Sequence, residues 1–386
     1  MNVRSIYHTA KSVRNLIAAE RESDVDRSVR RRLWLWRRGF ISRSDAVYDL
    51  EESTYREYVS DYQRFVGTKQ INGTWSVALS NKLLFHRLMQ PFEDERAGVY
   101  GMVRDGGFYP IDERRDYREM TDGGSAISAA VDDESPTAAG EKRLASTGAA
   151  TRNAAQRVVD RLEEDGRLVL KWVHGGGGNN VLLCSRTDDG YRVNDDRYTE
   201  AEFRSLVSTL DEYLVCEFVE QGSFSAGRYP ATPNTIRVIT MYDAEAGEPF
   251  IAAAVHRIGT TKSAPLDNFT QGGLSAAIDL ETGELGPGAQ PLDDGGVEWY
   301  AVHPDIETRI AGERVPGWNQ IRAGVLELAD ACSFLPYVGW DVIVTDDGEF
   351  TVIEANSYPG LKSIQVHGPL LADDRVRRFY ARHGVR

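Results

Sequence analysis

Three oxygen-bearing side chains near the C-terminal end have the types and spacing to hold a hard cation. Asp341 lies in the apolar run Gly339–Thr345. Glu354 lies in the run Phe350–Ala355, with Asn356 just beyond it. The connector Asp346-Asp347-Gly348-Glu349 contains Asp-Gly, a strong hairpin signal between β-rich runs. Counting outward from that turn puts Asp341 roughly opposite Glu354. Side chains at i and i+2 share a face of a strand, so Glu354 and Asn356 point the same way. Converging carboxylate and amide oxygens suit Mg²⁺, which takes few protein ligands and keeps waters and phosphate oxygens. The bland alternative is a surface hairpin with solvated acids. Against it, Trp340-Asp341-Val342-Ile343 and Val352-Ile353-Glu354-Ala355 embed both acids in apolar strings, where acids are rarely buried without a partner.

A second chemical element runs from Arg167 to Leu183. An apolar strand ends in Lys171, and the glycines Gly175, Gly176, Gly177 and Gly178 follow before another strand. Glycines let backbone N–H groups approach phosphate oxygens, and the lysine adds a point charge. The lysine precedes the glycines and a strand follows them, so the pattern is not a P-loop; alone, a glycine hairpin is more often a flexible turn. Glu212–Gln221 reads as a strand leading into a hinge, or as an edge strand with solvent-facing acids. Pro233–Met241 is a strand with Arg237 among apolar residues, and Ile251–Val255 ends at His256-Arg257. An arginine on a central strand needs an anionic partner. Asp267-Asn268-Phe269-Thr270-Gln271-Gly272-Gly273 follows, with Lys262 just before it. Leu79–His86 contains a helix capped by Ser80 or Asn81 and ending near Met89, with Lys82 at its start.

In this order the elements resemble the ATP-grasp superfamily of carboxylate–amine ligases, over about residues 79 to 362. The Tyr-rich N-terminal segment before Asn81-Lys82 and the Asp267–Gly273 loop look most like its sugar-transfer associated family. The resemblance implies an α+β ATP-grasp fold, two α+β subdomains sandwiching the nucleotide, with a helical N-terminal extension. It implies ATP and one or two Mg²⁺ ions, with Mn²⁺ able to substitute. Asp341, Glu354 and Asn356 would hold the metal. Lys171, Lys82 and the glycine turn would hold the phosphates. Glu217, Phe218 and Val219 would face adenine, and Glu220, or else Glu217, the ribose. Arg237 and Arg257 would act on the transferred phosphoryl group together with Lys171, Asn268 would donate to phosphate or metal, and Lys262 would face substrate. The implied reaction is carboxylate–amine (or carboxylate–thiol) ligation through an acyl phosphate, on small-molecule or sugar-linked substrates of polysaccharide or glycoconjugate biosynthesis. The rival readings are a small-molecule or sugar kinase and a non-catalytic nucleotide-binding protein of a glycan assembly pathway. His174 departs from the small residue or proline common in relatives.

The 386 residues leave room for two or three subdomains and an ample core. The expected division is a helical region 1–78, a pre-grasp segment 79–150, a lid subdomain 151–222 and a metal-binding, catalytic subdomain 223–386. Residues 121–150, rich in Asp, Gly, Ser, Thr and Ala, read as an insertion or mobile loop. A net charge of −14 and only 7 lysines among 45 basic residues match a salt-adapted, halophilic composition. That acidity argues against nucleic-acid binding. The absence of a signal-peptide core or a long apolar run, with three cysteines at no metal-ligand spacing, points to a cytoplasmic protein. In the N-terminal region, Val13, Leu16 and Ile17, then the basic block Arg27–Arg38, then Tyr48 to Phe65, have helical spacing. The block with Trp34 and Trp36 reads either as a weak membrane-surface dock or as an amphipathic helix whose aromatics pack inward, the second being favoured.

Overall fold

The computed structural model describes residues 3–23, 25–111, 153–175, 180–346 and 348–385. Three helices open the chain: α1 (Val3–Arg21), α2 (Val29–Trp36) and α3 (Ser42–Tyr48). Short 3₁₀ and π turns lead to α4 (Lys82–Leu88), β1 (Val99–Arg104) and β2 (Gly107–Pro110). Next come α5 (Ala154–Asp165), β3 (Arg167–Trp172), β4 (Val181–Thr187), β5 (Gly190–Val193), β6 (Asp196–Tyr198), α6 (Glu200–Ser208) and β7 (Tyr213–Glu217). The remainder is β8 (Ile236–Asp243), β9 (Glu248–Ile258), β10 (Leu274–Ile278), β11 (Leu285–Pro291), β12 (Val297–Tyr300), α7 (Trp318–Ala331), β13 (Tyr337–Val344), β14 (Phe350–Asn356), α8 (Lys362–Gln365) and α9 (Asp374–Arg382). The chain divides into two units, one formed by residues 81–219 and the other by 1–80 with 220–386.

The 81–219 unit is built on an antiparallel sheet with strand order β2-β1-β7-β3-β4-β5-β6. Alternation along β3 sorts its two faces. Leu168 and Leu170 are fully buried against Val158, Val159 and Leu162 of α5 and Phe203 and Val207 of α6. Val169 joins Val99, Leu214 and Cys216 in a separate cluster on which Leu83 and Phe218 pack. The helices start where their caps say. Asn81 Oδ1 accepts from Leu84 N–H at 3.0 Å, Asn153 Oδ1 from Gln156 N–H at 3.0 Å, and Thr199 and Glu202 form a reciprocal capping box. Gly166, at φ +76°, ends α5 in the left-handed conformation.

The other unit carries the sheet β12-β11-β10-β9-β8-β13-β14, also antiparallel. β13 is buried along its whole length. One core packs Ile239, Met241, Val255 and Tyr337 against Leu361, Ile364, Val376, Phe379 and Tyr380. α7 buries Ile321, Val325 and Leu328, the stripe its spacing predicts.

Several sequence expectations change. Residues 48–65 are not one helix: α3 stops at Asp49, at φ +48°, and Tyr48 stacks on Tyr58 at 5.0 Å across a turn. In α2, Leu35 is fully buried and Trp34 sits between Arg31 and Arg38, 4.3 and 4.2 Å from its ring. Arg27 and Arg31 meet Asp45, Arg32 reaches Glu20 and Asp26, and Arg38 meets Glu52, so four of the six arginines of the basic block face an acid. Val29, Leu33 and Trp36 remain exposed. The strands β5, β6, β11 and β12 and the helix α6 are additions to the sequence reading. The 121–150 segment lies outside the described residues. Among the described residues, no helix is long and apolar enough to cross a membrane.

Two histidines tie stability to pH. Burial, with Arg228 and Arg257 nearby, pushes His256 down to about 3, and burial pushes His367 down to about 4 against its bond to Ser275. Below about 6.5 the unfolded chain takes up protons that the native state refuses until it reaches those lower values. Their stabilisation is therefore complete above 6.5 and lost as pH falls through that window, at about 1.4 kcal/mol per pH unit for each histidine. Urea unfolding between pH 7 and pH 5 is expected to show a steeper loss for wild type than for His256→Gln. Parallel curves would remove His256 from the account.

Candidate active site

Four neighbouring strands present one polar face. Cross-strand register places Asp341 opposite Arg237 of β8 and opposite Glu354 of β14. Regular pairing from the turn runs Val344↔Phe350, Ile343↔Thr351 and Val342↔Val352, which would set Ile353 against Asp341. The register instead shifts by one between Val342 and Asp341. This bulge leaves Ile353 as the extra residue and brings Glu354 opposite Asp341 and Asn356 opposite Gly339. Directly opposite residues share a face, as do residues two apart on one strand. Arg257 is aligned with Thr235, since its N–H donates to the Thr235 carbonyl at 2.8 Å. Arg257, Thr235, Arg237, Asp341, Glu354 and Asn356 thus line one face of β9-β8-β13-β14.

Asp341 is the hub of that face. Arg237 donates through Nε to Oδ1 and through Nη2 to Oδ2, the latter at 2.8 Å, and both residues are buried. Arg257 Nη2 is 3.4 Å from Asp341 Oδ2 and 3.5 Å from Asp267 Oδ1. Asn356 Nδ2 donates to Asp341 Oδ2 at 3.4 Å. Thr235 fastens the arrangement from behind. Its N–H donates to Asp267 at 2.9 Å, and its Oγ1 accepts from Arg257 Nε at 3.0 Å. Burial pushes Arg237 down, but the charge and hydrogen bonds of Asp341 outweigh it and hold the guanidinium above its ordinary value. Burial likewise pushes the Asp267 carboxyl up, against the pull of Arg257 and Thr235. Gly339 is required by close approach: a Cβ there would come 2.7 Å from Pro359 and 3.4 Å from Arg237 Cδ.

Other sequence-predicted residues of this unit have defined partners. Asn268 caps the turn after it, its Oδ1 accepting from Thr270 N–H at 3.1 Å and Oγ1 at 3.0 Å. Lys262 lies against Gly272 and pairs with Asp293 rather than facing the arginines. Glu220 is exposed and is the first residue of this unit after the hinge. Thr235 and Arg228 escaped the sequence reading. The spacing Thr235–Arg237, two residues apart on a strand, was the available signal for the first. Arg228 is buried, stacks 3.7 Å over Phe224 and reaches Glu313 at 3.4 Å; nothing local in the sequence marks it.

In the 81–219 unit, Lys171 is at the exit of β3, paired between β4 and β7. The hairpin after it closes through Trp172 N–H to the Asn180 carbonyl at 3.2 Å. Lys82 lies against that hairpin: its N–H donates to the Val173 carbonyl at 3.0 Å and its Nζ to the Gly175 carbonyl. Gly176, Gly177 and Gly178 lie outside the described residues. His174 Nε2 is 3.6 Å from Glu212. Burial pushes the Cys216 thiol up, while Lys171 and Lys82 pull it down. Glu217 Oε2 accepts from Gly98 N–H at 2.9 Å. Phe218 packs on the Val99–Val169–Leu214 cluster, and Val219 is the last residue of this unit.

A family model described as sugar-transfer associated ATP-grasp matches residues 136–378, more than half of the chain. The chain belongs to that family. Comparison with curated proteins finds no match. Solved structures with some likeness to this ATP-grasp chain include the D-alanine-D-alanine ligase from Coxiella burnetii, at 13% identity and TM-score 0.36, covering 82% of this chain and 67% of that one. The N5-carboxyaminoimidazole ribonucleotide synthetase from Thermotoga maritima is 12% identical at TM-score 0.36, covering 87% of this chain and 55% of that one. The ADP complex of purK is 15% identical at TM-score 0.31, covering 54% and 39%. The chain thus spans less than two thirds of the length of the two synthetases.

In this ATP-grasp chain the buried Arg237–Asp341 pair bears on stability. Asp341→Ala leaves a buried guanidinium with its main counter-charge gone and is expected to cost about 3–5 kcal/mol of stability. The double variant Arg237→Met, Asp341→Leu is expected to recover much of that loss, because no uncompensated charge remains. Chemical denaturation of the three proteins checks it; a double variant as unstable as the single one would contradict it.

Proposed function

We propose that the protein is an ATP- and Mg²⁺-dependent ligase that joins a carboxylate to an amine through an acyl phosphate, in polysaccharide or glycoconjugate biosynthesis. What carries this is the shared face of β9-β8-β13-β14, where two arginines and three oxygen-bearing side chains meet in a chain of the ATP-grasp family.

The donor set fits a hard cation. Asp341, Glu354 and Asn356 offer oxygens, the ligands that Mg²⁺ prefers. Arg237 holds both oxygens of Asp341, so a cation there would take the place of the longer Arg257 and Asn356 contacts at Oδ2. Bound there, Mg²⁺ supplies charge neutralisation for the phosphoryl group. Arg237 is oriented by Asp341 through Nε and Nη2, which leaves Nη1 to face an anion. Arg257 is held by Thr235, Asp267 and Asp341. Two guanidinium groups fixed in this way stabilise developing negative charge without reorganising during the reaction. In the other unit, Lys171 and Lys82 supply charge for phosphates, and the apolar cluster with Phe218 offers a surface for a flat base. Because Glu217 already accepts from Gly98, Glu220 is the better ribose ligand.

Calorimetric titration with Mg²⁺ and ATP is expected to show binding that needs the metal and weakens at least about tenfold in Glu354→Ala, roughly the loss of one charged ligand. With an acceptor found by hydroxylamine trapping, Arg257→Ala is expected to lower turnover on the order of 10²–10³-fold. Wild type that is folded yet binds no ATP would sink the ligase reading. Phosphate transfer to an acceptor without any amine requirement would replace it with a kinase.

A further inference from the structure

Beyond the strand carrying Glu354 and Asn356, the chain runs through Tyr358, Pro359 and Gly360 into α8. There it meets the N-terminal region. Gln365 of α8 clasps the Val59 backbone, accepting from its N–H at 2.8 Å and donating to its carbonyl at 3.1 Å. Leu361 and Ile364 enter the core beside Val59. The start of α8 is therefore fixed against residues 59–65.

That junction gathers cations without matching acids. The Arg64 guanidinium lies 4.1 Å over the Tyr358 ring, and its Nε donates to the Pro359 carbonyl at 3.3 Å. No partner among the described residues takes its other N–H groups. The Lys362 ammonium also has no hydrogen bond or ion pair among the described residues. Burial pushes it down, Arg43 and Arg64 push it the same way, and Asp61 opposes them. Lys69 Nζ is 5.8 Å from the Tyr358 ring. Asp61, a buried acid that acts on Lys362, is engaged by the Ile41 N–H at 3.0 Å and the Ser44 hydroxyl at 2.8 Å. The Tyr358 hydroxyl is buried with no hydrogen-bond partner among the described residues. A buried hydroxyl of this kind costs stability unless something accepts from it. A Cβ added at Gly360 would meet nothing within 4 Å, so the loop borders open space.

We propose that Arg64, Lys362 and the Tyr358 hydroxyl form a binding subsite for a carboxylate or phosphate group of the acceptor substrate. A planar fork, a point charge and a hydroxyl donor are the set that such oxyanions accept from. The subsite begins two residues after Asn356, which suits an anionic group that anchors the acceptor away from its reacting carboxylate. That assignment of the guest rests on the ligase reading; the binding of an oxyanion does not.

The test uses the full chain with saturating Mg²⁺ and ADP, so that the nucleotide site is filled. Inorganic phosphate and succinate are titrated separately into wild type, Lys362→Gln, Arg64→Gln and Tyr358→Phe, alongside Mg²⁺–ATP titrations. Saturable binding of one anion is expected in wild type, weakened roughly tenfold in the Lys362 and Arg64 variants, with ATP affinity unchanged. The anion that binds more tightly names the source as phosphate or carboxylate. On wild type alone, that anion is expected to slow acetylation of Lys362, read by mass spectrometry, which keeps the test independent of how well the variants fold. No saturable binding of either anion, equal binding in the variants, or unprotected Lys362 would overturn the subsite. Anion binding through Lys362 in a protein that binds no ATP would keep the subsite and remove the ligase reading.

Discussion

The buried pair between Arg237 and Asp341 sets the terms for the surrounding sheet. Each charge alone would be costly to bury, and each is tolerable because the other stands directly across the β8–β13 ladder. The pair needs adjacent strands in one register. It needs Gly339 beside it so that Pro359 and the Arg237 stem fit. It also needs Thr235 and Asp267 to hold Arg257 at the far oxygen. Low exposure strengthens these interactions and keeps them aimed. The face buries two guanidinium groups against two carboxylates, Asp341 and Asp267.

The same face depends on an irregularity. Without the bulge at Ile353, Glu354 would not stand opposite Asp341, and regular alternation would send its side chain to the opposite side of the sheet. One extra residue in β14 lets Phe350 and Val352 stay in the core while Glu354 and Asn356 join Asp341. The other unit uses strict alternation instead: β3 turns Leu168 and Leu170 toward α5 and α6, and Val169 and Lys171 the other way. Ordinary pleating thus puts Lys171 on the face of Val169, while Lys82 comes from the start of α4.

Within the unit formed by residues 1–80 and 220–386, the N-terminal region is joined to the rest by polar contacts to backbone. Gln365 to Val59, Asn72 to Tyr337, and Arg64 to Pro359 are all side-chain bonds across long sequence separations. Such contacts fix position more than they add stability. They set Arg64, distant in sequence, over the Tyr358 ring.

Much was legible in the sequence because it is local. The Asp346–Glu349 turn, the Lys171–glycine hairpin and the Asn81 cap are decided by residues within a few positions, through turn chemistry and orphaned helix N–H groups. The α7 stripe and the inward face of β3 follow from periodicity alone. The expectation of one helix over 48–65 failed because Asp49 breaks the pattern in the left-handed region and tertiary contacts reward a turn that lets Tyr48 stack on Tyr58. Arg228, Thr235 and the Lys362–Arg64 junction were not legible, since their partners lie far along the chain. The sequence by itself determined which residue types stand at which strand positions, and so which side chains can share a face. Only the tertiary structure decided which strands are neighbours, where the register slips by one, and which charge is buried against which, because these depend on long-range pairing that no local pattern encodes.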